Sequence, residues 1–259
     1  MRLILIARHG ESEGNVDHNI YKTTADHAVK LSRRGHAQAK ECGAAIDGIL
    51  REWWASLGLL TKIWFWISRT WKNLKKDGIF FRFPTWKPHI RVWNSSYERT
   101  RQTRDRIVEQ LGDWSWDSVE NDLLVEQNFG LFDGLSDDEL AEEFPVEYAH
   151  YKKLSDHSGR YWARMPLGEA RVDVVQRVKN VNGSIVRDSD RHGIEVIIIV
   201  AHGVANRAFV MNWLHYDWEW FEAEPNPSNC SVRAIEKKKD LGYVFPGFEP
   251  HAKGPCKWP

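Results

Sequence analysis

Two histidines in this chain each follow an apolar run and precede a glycine. Leu3-Ile4-Leu5-Ile6-Ala7 empties into Arg8-His9-Gly10-Glu11-Ser12, and Glu195-Val196-Ile197-Ile198-Ile199-Val200-Ala201 empties into His202-Gly203. Both runs have the length and β-favouring composition of buried strands. An imidazole can act as nucleophile, acid or base near neutral pH. The Arg8 guanidinium is a planar fork of donors suited to phosphate, and glycine lets backbone N–H groups approach a ligand. If both strands lie in one parallel sheet, His9 and His202 reach the same edge, where open α/β sheets bind their ligands. Two imidazoles and a guanidinium there make a site for an oxyanion such as phosphate.

Further groups fall at element ends. His89-Ile90-Arg91-Val92-Trp93 reads as a strand, and Asn94-Ser95-Ser96 as the cap of a helix from Tyr97 to about Leu111. Arg99 then sits near a helix N-terminus, where the dipole and free N–H groups also favour an anion. Arg101, Arg104 and Arg106 read as a solvated face. Asn121–Val125 reads as a third strand with Glu126 at its exit, ahead of a loop bracketed by Gly130 and Gly134. Asn15 has two open readings, an amide donor into the anion pocket or a turn residue.

At one sheet edge these groups can transfer phosphoryl. Arg8, Arg99 and His202 would hold the phosphoryl oxygens as charge develops. His9 would attack phosphorus in line if a backbone carbonyl fixed its other ring nitrogen. Glu126 would protonate the leaving alkoxide if burial or neighbouring charge raised its pKa, and would then activate water as base. The arginines supply positive charge, so no metal and no cofactor is expected. The sequence has no Walker glycine loop, no His-Glu-x-x-His and no Asp-rich cluster.

The elements that must position these groups alternate between strand and helix. Ser32 fits the N-cap of a helix running through Cys42. Ser136 opens an acidic helix to Glu143, and another follows at about 146–155. Between Glu169 and about Asp188, Val174, Val178, Val181 and Ile185 form a core stripe, and residues 204–214 make a helix that packs under the site. A strand follows near Ser231–Ile235, and the Pro- and Gly-rich tail from Gly242 to 259 reads as poorly ordered. This pattern predicts one domain over 1–259, a three-layer α/β/α sandwich with a mostly parallel central sheet.

One stretch interrupts it, at about 50–87. Six of the 14 tryptophans lie between Trp53 and Trp86. Trp53, Leu57, Leu60, Trp64, Ile67, Trp71 and Leu74 are spaced as the seam of one long helix, with Lys62, Arg69, Lys72, Lys75 and Lys76 largely off it. Three roles fit: packing within the domain or in a homodimer, a lid over the site, or an interfacial helix on a membrane surface. Ile79–Phe83 reads as a short strand.

The 259 residues are enough for one sizeable core. Charge is balanced, 36 basic against 36 acidic residues, so no global field points to nucleic acid. Three scattered cysteines, Cys42, Cys230 and Cys256, form neither a disulfide framework nor a zinc pattern and suit a reducing compartment. With a strand starting at residue 2 there is no room for a signal peptide, and a cytoplasmic protein is expected.

Arg8-His9-Gly10-Glu11-Ser12, Ser95-Ser96-x-x-Arg99-Thr100-x-Gln102-Thr103, Glu126-x-x-x-Gly130 and Ala201-His202-Gly203 resemble, in that order, the motifs of the histidine phosphatase superfamily, in its phosphoglycerate-mutase-like branch. The resemblance covers most of residues 2–235. It implies His9 as the phosphorylated nucleophile, Glu126 as proton donor, and Arg8, Arg99 and His202 as the phosphate pocket, with Asn15 and Gly203 as further contacts. The pattern of Asn15, Asp26-His27, Leu31-Ser32, Gly35 and Pro166-x-Gly168-Glu169 looks most like the broad-range phosphatases of that branch. The expected activity is therefore metal-independent hydrolysis of small phosphate monoesters. A phosphoglycerate-type mutase would use the same residues, although its basic substrate-positioning groups have only loose candidates in Lys152, Lys153, Arg160 and Arg164. A third reading is a partner- or membrane-recruiting protein acting through the Trp-rich stretch. Two features depart from the family: that stretch, and Ala170 where serine commonly follows Gly168-Glu169, a change that bears on the pocket wall. A sugar phosphate, a nucleotide, a phosphoprotein and a lipid phosphate all stay open as substrate.

Overall fold

In the computed structural model, which describes residues 2–63 and 87–249, the apolar runs form the centre of one six-stranded sheet. Its strands are β1 (Leu3–Arg8), β2 (Ile90–Asn94), β3 (Trp116–Glu120), β4 (Val196–Ala201), β5 (Val232–Glu236) and β6 (Lys239–Phe245), in the order β3-β2-β4-β1-β5-β6. The first four run parallel, and β5 and β6 close the sheet as an antiparallel hairpin. A strand buried on both faces needs no polar alternation. That is why LILIA and VIIIVA read as unbroken apolar runs, and both are buried throughout.

Helices cover both faces, giving the expected α/β/α sandwich. The helices are α1 (Glu13–Val16), α2 (Arg33–Ser56), α3 (Glu98–Val108), α4 (Asp137–Glu143), α5 (Pro145–Ser158), α6 (Arg171–His192), α7 (Gly203–Leu214) and α8 (Trp218–Ala223). On one face Ala39, Cys42, Ile46, Leu50 and Trp53 of α2 pack with Ile107 of α3 on Leu3, Leu5, Val92 and Ile198. On the other, Val174, Val178, Val181 and Ile185 of α6 join Phe209 of α7 against Ile4, Ile6, Ile197 and Ile199. A smaller cluster of Phe132, Leu135, Leu140, Tyr151 and Met165 holds together the excursion that carries α4 and α5.

Four expectations need correction. The third strand is Trp116–Glu120, not Asn121–Val125. The Asn121 side chain accepts the Leu123 N–H at 2.9 Å and turns the chain into a short 3-10 segment, Asp122–Leu124. Ser96 and Asn94 do not cap α3: Tyr97 occupies that position without a side-chain cap, and Ser95 Oγ accepts the Tyr97 N–H at 3.3 Å and pairs with His202. The long Trp-rich helix is interrupted. α2 carries Trp53 but stops at Ser56, whose hydroxyl donates to the Trp53 carbonyl at 2.7 Å, Leu57 is extended before Gly58, and helix resumes over 59–63. Trp53 and Leu57 pack on the core while Leu60 is exposed. The seam from Trp64 to Leu74 and the short strand Ile79–Phe83 lie outside the described residues. The start of the tail, finally, is part of the sheet: Tyr243 and Phe245 pair with Arg233 and Val232, while residues 250–259 lie outside the described residues. Among the described residues no helix is long and apolar enough to cross a membrane.

Candidate active site

Register places the two histidines side by side. β1 and β4 are adjacent and parallel with Arg8 opposite Ala201, so His9 and His202 are the next residue out on each strand. Their ring centroids are 5.2 Å apart. The His9 Nδ1 lies 2.7 Å from the Gly10 carbonyl oxygen, which can only accept. That contact assigns the proton to Nδ1 and leaves Nε2 as a bare lone pair. Burial, then the Arg99 and Arg8 charges, push His9 well below the usual imidazole range, so the ring is neutral.

The loop after β1 is held by the residues between the chemical ones. The Gly10 N–H donates to Thr103 Oγ1 at 3.1 Å, the Glu11 N–H to Gln38 at 2.8 Å and the Leu31 N–H to Gln102 at 2.8 Å. Glu11, almost fully buried, accepts from Ser32 Oγ and Arg34. Gly35 permits this docking, since a Cβ there would stand 1.9 Å from the Glu11 carbonyl oxygen. Arg99-Thr100-x-Gln102-Thr103 thus supplies one guanidinium and a set of pins. Thr103 also donates to the Arg99 carbonyl, and Thr100 to the Ser95 carbonyl.

A pocket of about 130 Å³ opens above His9, lined among others by Arg8, Asn15, Arg99 and Glu126. Both guanidiniums are fixed by carbonyls: Arg8 donates to Pro227 at 2.6 Å, and Arg99 to the Asp26 carbonyl and carboxylate, each at 2.7 Å. Burial opposes the Arg99 charge, but Asp26, Tyr21 and Glu126 outweigh it and raise its pKa. Asn15 is a turn residue that also faces the pocket. Its Oδ1 accepts the Ser12 N–H, closing the capping box of α1, while the residue also lines the pocket.

The Glu126 carboxylate accepts from its neighbour's N–H, Gln127, at 3.0 Å and from the Val204 N–H at 3.2 Å, at the start of α7. Arg177, which the sequence reading left out, fixes its backbone. The guanidinium donates to the carbonyls of Leu123, Val125 and Glu126 and to the Glu169 carboxylate, which spends all its nitrogens. Gly130, at φ +60°, completes the turn, because a Cβ would lie 2.1 Å from the Pro166 carbonyl oxygen.

His202 and Gly203 sit behind the pocket rather than on its lining. His202 is fully buried against His9 and Tyr97, with Nε2 2.9 Å from Ser95 Oγ. Burial and the charges of Arg99 and Arg8, with His9 alongside, push it well down, so it too is neutral. Gly203 is small for packing: a Cβ would stand 2.0 Å from Asn226 Oδ1. Ala170 does not line the pocket either; it precedes α6, the Asp173 carboxylate accepts its N–H at 2.7 Å, and a serine there would add a hydroxyl acceptor for the Asp173 N–H.

The outer wall was not assigned from the sequence. It consists of His18, Tyr21, Asp26, Phe129, Phe132, Asp133 and Asn226. Asp133 is exposed at the mouth, yet the surrounding wall and the Asp26 charge push its carboxyl up to about 6. The bracketing Gly130 and Gly134 were the available signal for this loop, and Pro225-Asn226-Pro227 was another. Among the described residues no group of three or more His, Cys, Asp or Glu side chains is arranged to hold a metal ion.

The histidine phosphatase superfamily (branch 1) profile matches residues 82–244. The chain belongs to this superfamily. The profile starts after the Arg8-His9-Gly10 motif. A phosphoglycerate mutase-like protein from Arabidopsis thaliana, AT74, is 30% identical over 90% of this chain, which spans 64% of that relative's length. A broad-range acid phosphatase from Saccharomyces cerevisiae is 22% identical, covering 94% of this chain and 88% of its own. Among solved structures, the alpha-ribazole phosphatase from Shigella flexneri superposes with a TM-score of 0.60 at 18% identity, covering 97% of this chain and 100% of the other, a likeness of fold. Named relatives in this superfamily thus include both phosphatases and mutase-like proteins.

Proposed function

We propose that this chain hydrolyses phosphate monoesters through a phosphohistidine intermediate on His9. The observation that carries the reading is the Nδ1 contact to the Gly10 carbonyl, which leaves a neutral Nε2 lone pair at the floor of a pocket flanked by two guanidiniums. Nε2 attacks phosphorus as the P–O bond to the alcohol breaks, with Arg8 and Arg99 taking the charge that builds on the phosphoryl oxygens. Glu126 is the group placed to pass a proton to the departing alkoxide. Water then attacks phosphohistidine, Glu126 takes the proton back, and inorganic phosphate leaves with His9 restored. His202, neutral and held on Ser95, packs against His9 from behind the pocket.

A phosphoglycerate mutase would share this floor and is the reading that the name of the Arabidopsis relative favours. The test is a phosphate-release panel in EDTA with the wild type and His9→Ala, including 3-phosphoglycerate with and without 2,3-bisphosphoglycerate. Release that is insensitive to EDTA and lost in His9→Ala supports the phosphatase. Isomerisation of phosphoglycerate with little free phosphate moves the assignment to a mutase, and undiminished release by His9→Ala removes His9 as nucleophile.

A further inference from the structure

The wall above the floor carries charge of the opposite sign. Among the described lining residues the cations are Arg8 and Arg99, both at the level of His9, and Arg99 already shares its charge with Asp26. The other ionisable wall groups are carboxyls, namely Asp26, Asp133 and Glu126, with Tyr21 pushed up to about 12 by burial and therefore neutral. His18 at the mouth is also lowered by burial. An adjoining groove shares Asp26, Glu126, Phe129 and Asp133 and adds His27, Glu169 and Arg177. Arg177 offers no donor to a ligand, because every nitrogen is committed to a carbonyl or to Glu169. Lys152, Lys153, Arg160 and Arg164 line neither space, and Arg164 is held by Asp173 and the Gly168 carbonyl.

Among the described residues, a second anion on the substrate, such as the carboxylate of phosphoglycerate, would therefore meet carboxylates and no unspent arginine or lysine. Like charges brought together in a confined site oppose binding and work against the wrong ligand. A hydroxyl-bearing leaving group would instead find carboxylate acceptors at Asp26 and Asp133, the hydroxyl of Tyr21, and aromatic faces at Phe129 and Phe132. Building on the phosphatase reading of the His9 floor, we propose that the pocket selects uncharged polyol or sugar monophosphates against esters bearing a second anion, with Asp133 and Asp26 as the selecting residues. Asp133 is the cleaner of the two to alter, because Asp26 also anchors Arg99.

The experiment compares two esters of one three-carbon skeleton, glycerol 3-phosphate and 3-phosphoglycerate, which differ in a CH2OH against a carboxylate. kcat/KM for phosphate release is measured with the full chain at pH 7.5. The wild type is expected to prefer glycerol 3-phosphate by on the order of tenfold or more. Asp133→Asn and Asp133→Ser, each checked for an unchanged melting transition, are expected to narrow that ratio by about threefold or more. A measurement on the unaltered protein gives the same information. The ratio should narrow as pH falls through about 6, where Asp133 takes up its proton. The other titratable and charged groups around it are Asp26, His18, Arg99 and Glu126 and, in the groove, His27, Glu169 and Arg177. The same pH series on Asp133→Asn, which should lose the narrowing near about pH 6, therefore separates the Asp133 titration from theirs, and the phosphate ionisation is common to both esters. Equal or better turnover of 3-phosphoglycerate by the wild type overturns the proposal, as does a ratio that neither folded Asp133 variant shifts. These outcomes are distinct from failure of the His9 reading, which is release that persists in His9→Ala. No release from either ester by folded wild-type protein overturns both.

Discussion

The floor and the wall of the pocket are built by different parts of the fold and answer different questions. The floor residues stand at the ends of regular elements. His9 ends β1, His202 ends β4 and Arg99 opens α3, each is at most 4% exposed, and each is tied to a carbonyl or a hydroxyl. The wall residues stand on loops and short 3-10 turns, and His18 and Asp133 are exposed. Rigid, desolvated groups fix one reaction geometry, whereas loops carried on a scaffold vary what is recognised. Apart from Asp26, which anchors Arg99, changes in the wall should therefore leave the phosphoryl chemistry intact and alter the choice of ester.

The sharpest break of that contrast is His9→Ala. It should lower kcat/KM on every ester by on the order of 10⁴-fold or more while leaving the melting temperature nearly unchanged. A loss confined to some esters would make His9 part of the wall. Arg99→Ala should come next, at roughly 10²- to 10³-fold in kcat/KM, again across all esters, because it removes a cation and leaves Asp26 facing the phosphate unpaired. Steady-state kinetics on the matched esters checks this, and an ester-dependent loss would contradict it.

Glu126→Gln belongs to the boundary between the two regions. It should slow esters with poor leaving groups by roughly 10²-fold but p-nitrophenyl phosphate much less, since that leaving group needs no proton. Equal losses on both would remove the proton-donor role. The smallest effect is on stability. His9 and His202 are held neutral when folded, with pKa values below the usual 6.5. The unfolded chain therefore binds more protons below about pH 6.5, and the stability these rings contribute is lost as pH falls from there. The wild-type melting temperature should drop between pH 7 and 5 more steeply than that of His202→Asn, and parallel slopes would contradict the burial argument.

The same contrast governs what could be read from the sequence. The central strands were legible because full burial writes them as unbroken apolar runs, and the motif residues because they follow those runs directly. β3 was missed because it is an edge strand: Trp116, Ser118 and Glu120 alternate with half-buried Asp117 and Val119, and the apolar residues of 121–125 mimic a strand in a 3-10 turn. The Trp-rich seam kept a helical period across Gly58, where the described chain breaks helix, so periodicity alone overran the boundary. Arg177 was hidden as a helix-surface arginine, and only the fold brings it under the carbonyls of 123–126. Asp26 and Asp133 were unreadable as a pair because 107 positions separate them and nothing but tertiary structure puts their charges within reach.

The most direct test of the central claim is to quench the enzyme during turnover under alkaline conditions and map the covalent phosphate by peptide mass spectrometry. The expected result is an alkali-stable, acid-labile phosphoryl group on His9 in the wild type, absent from His9→Ala and longer-lived in Glu126→Gln, where water lacks its base. Phosphate on another residue, or turnover with no covalent intermediate and inversion at a chiral phosphorus, would contradict the account.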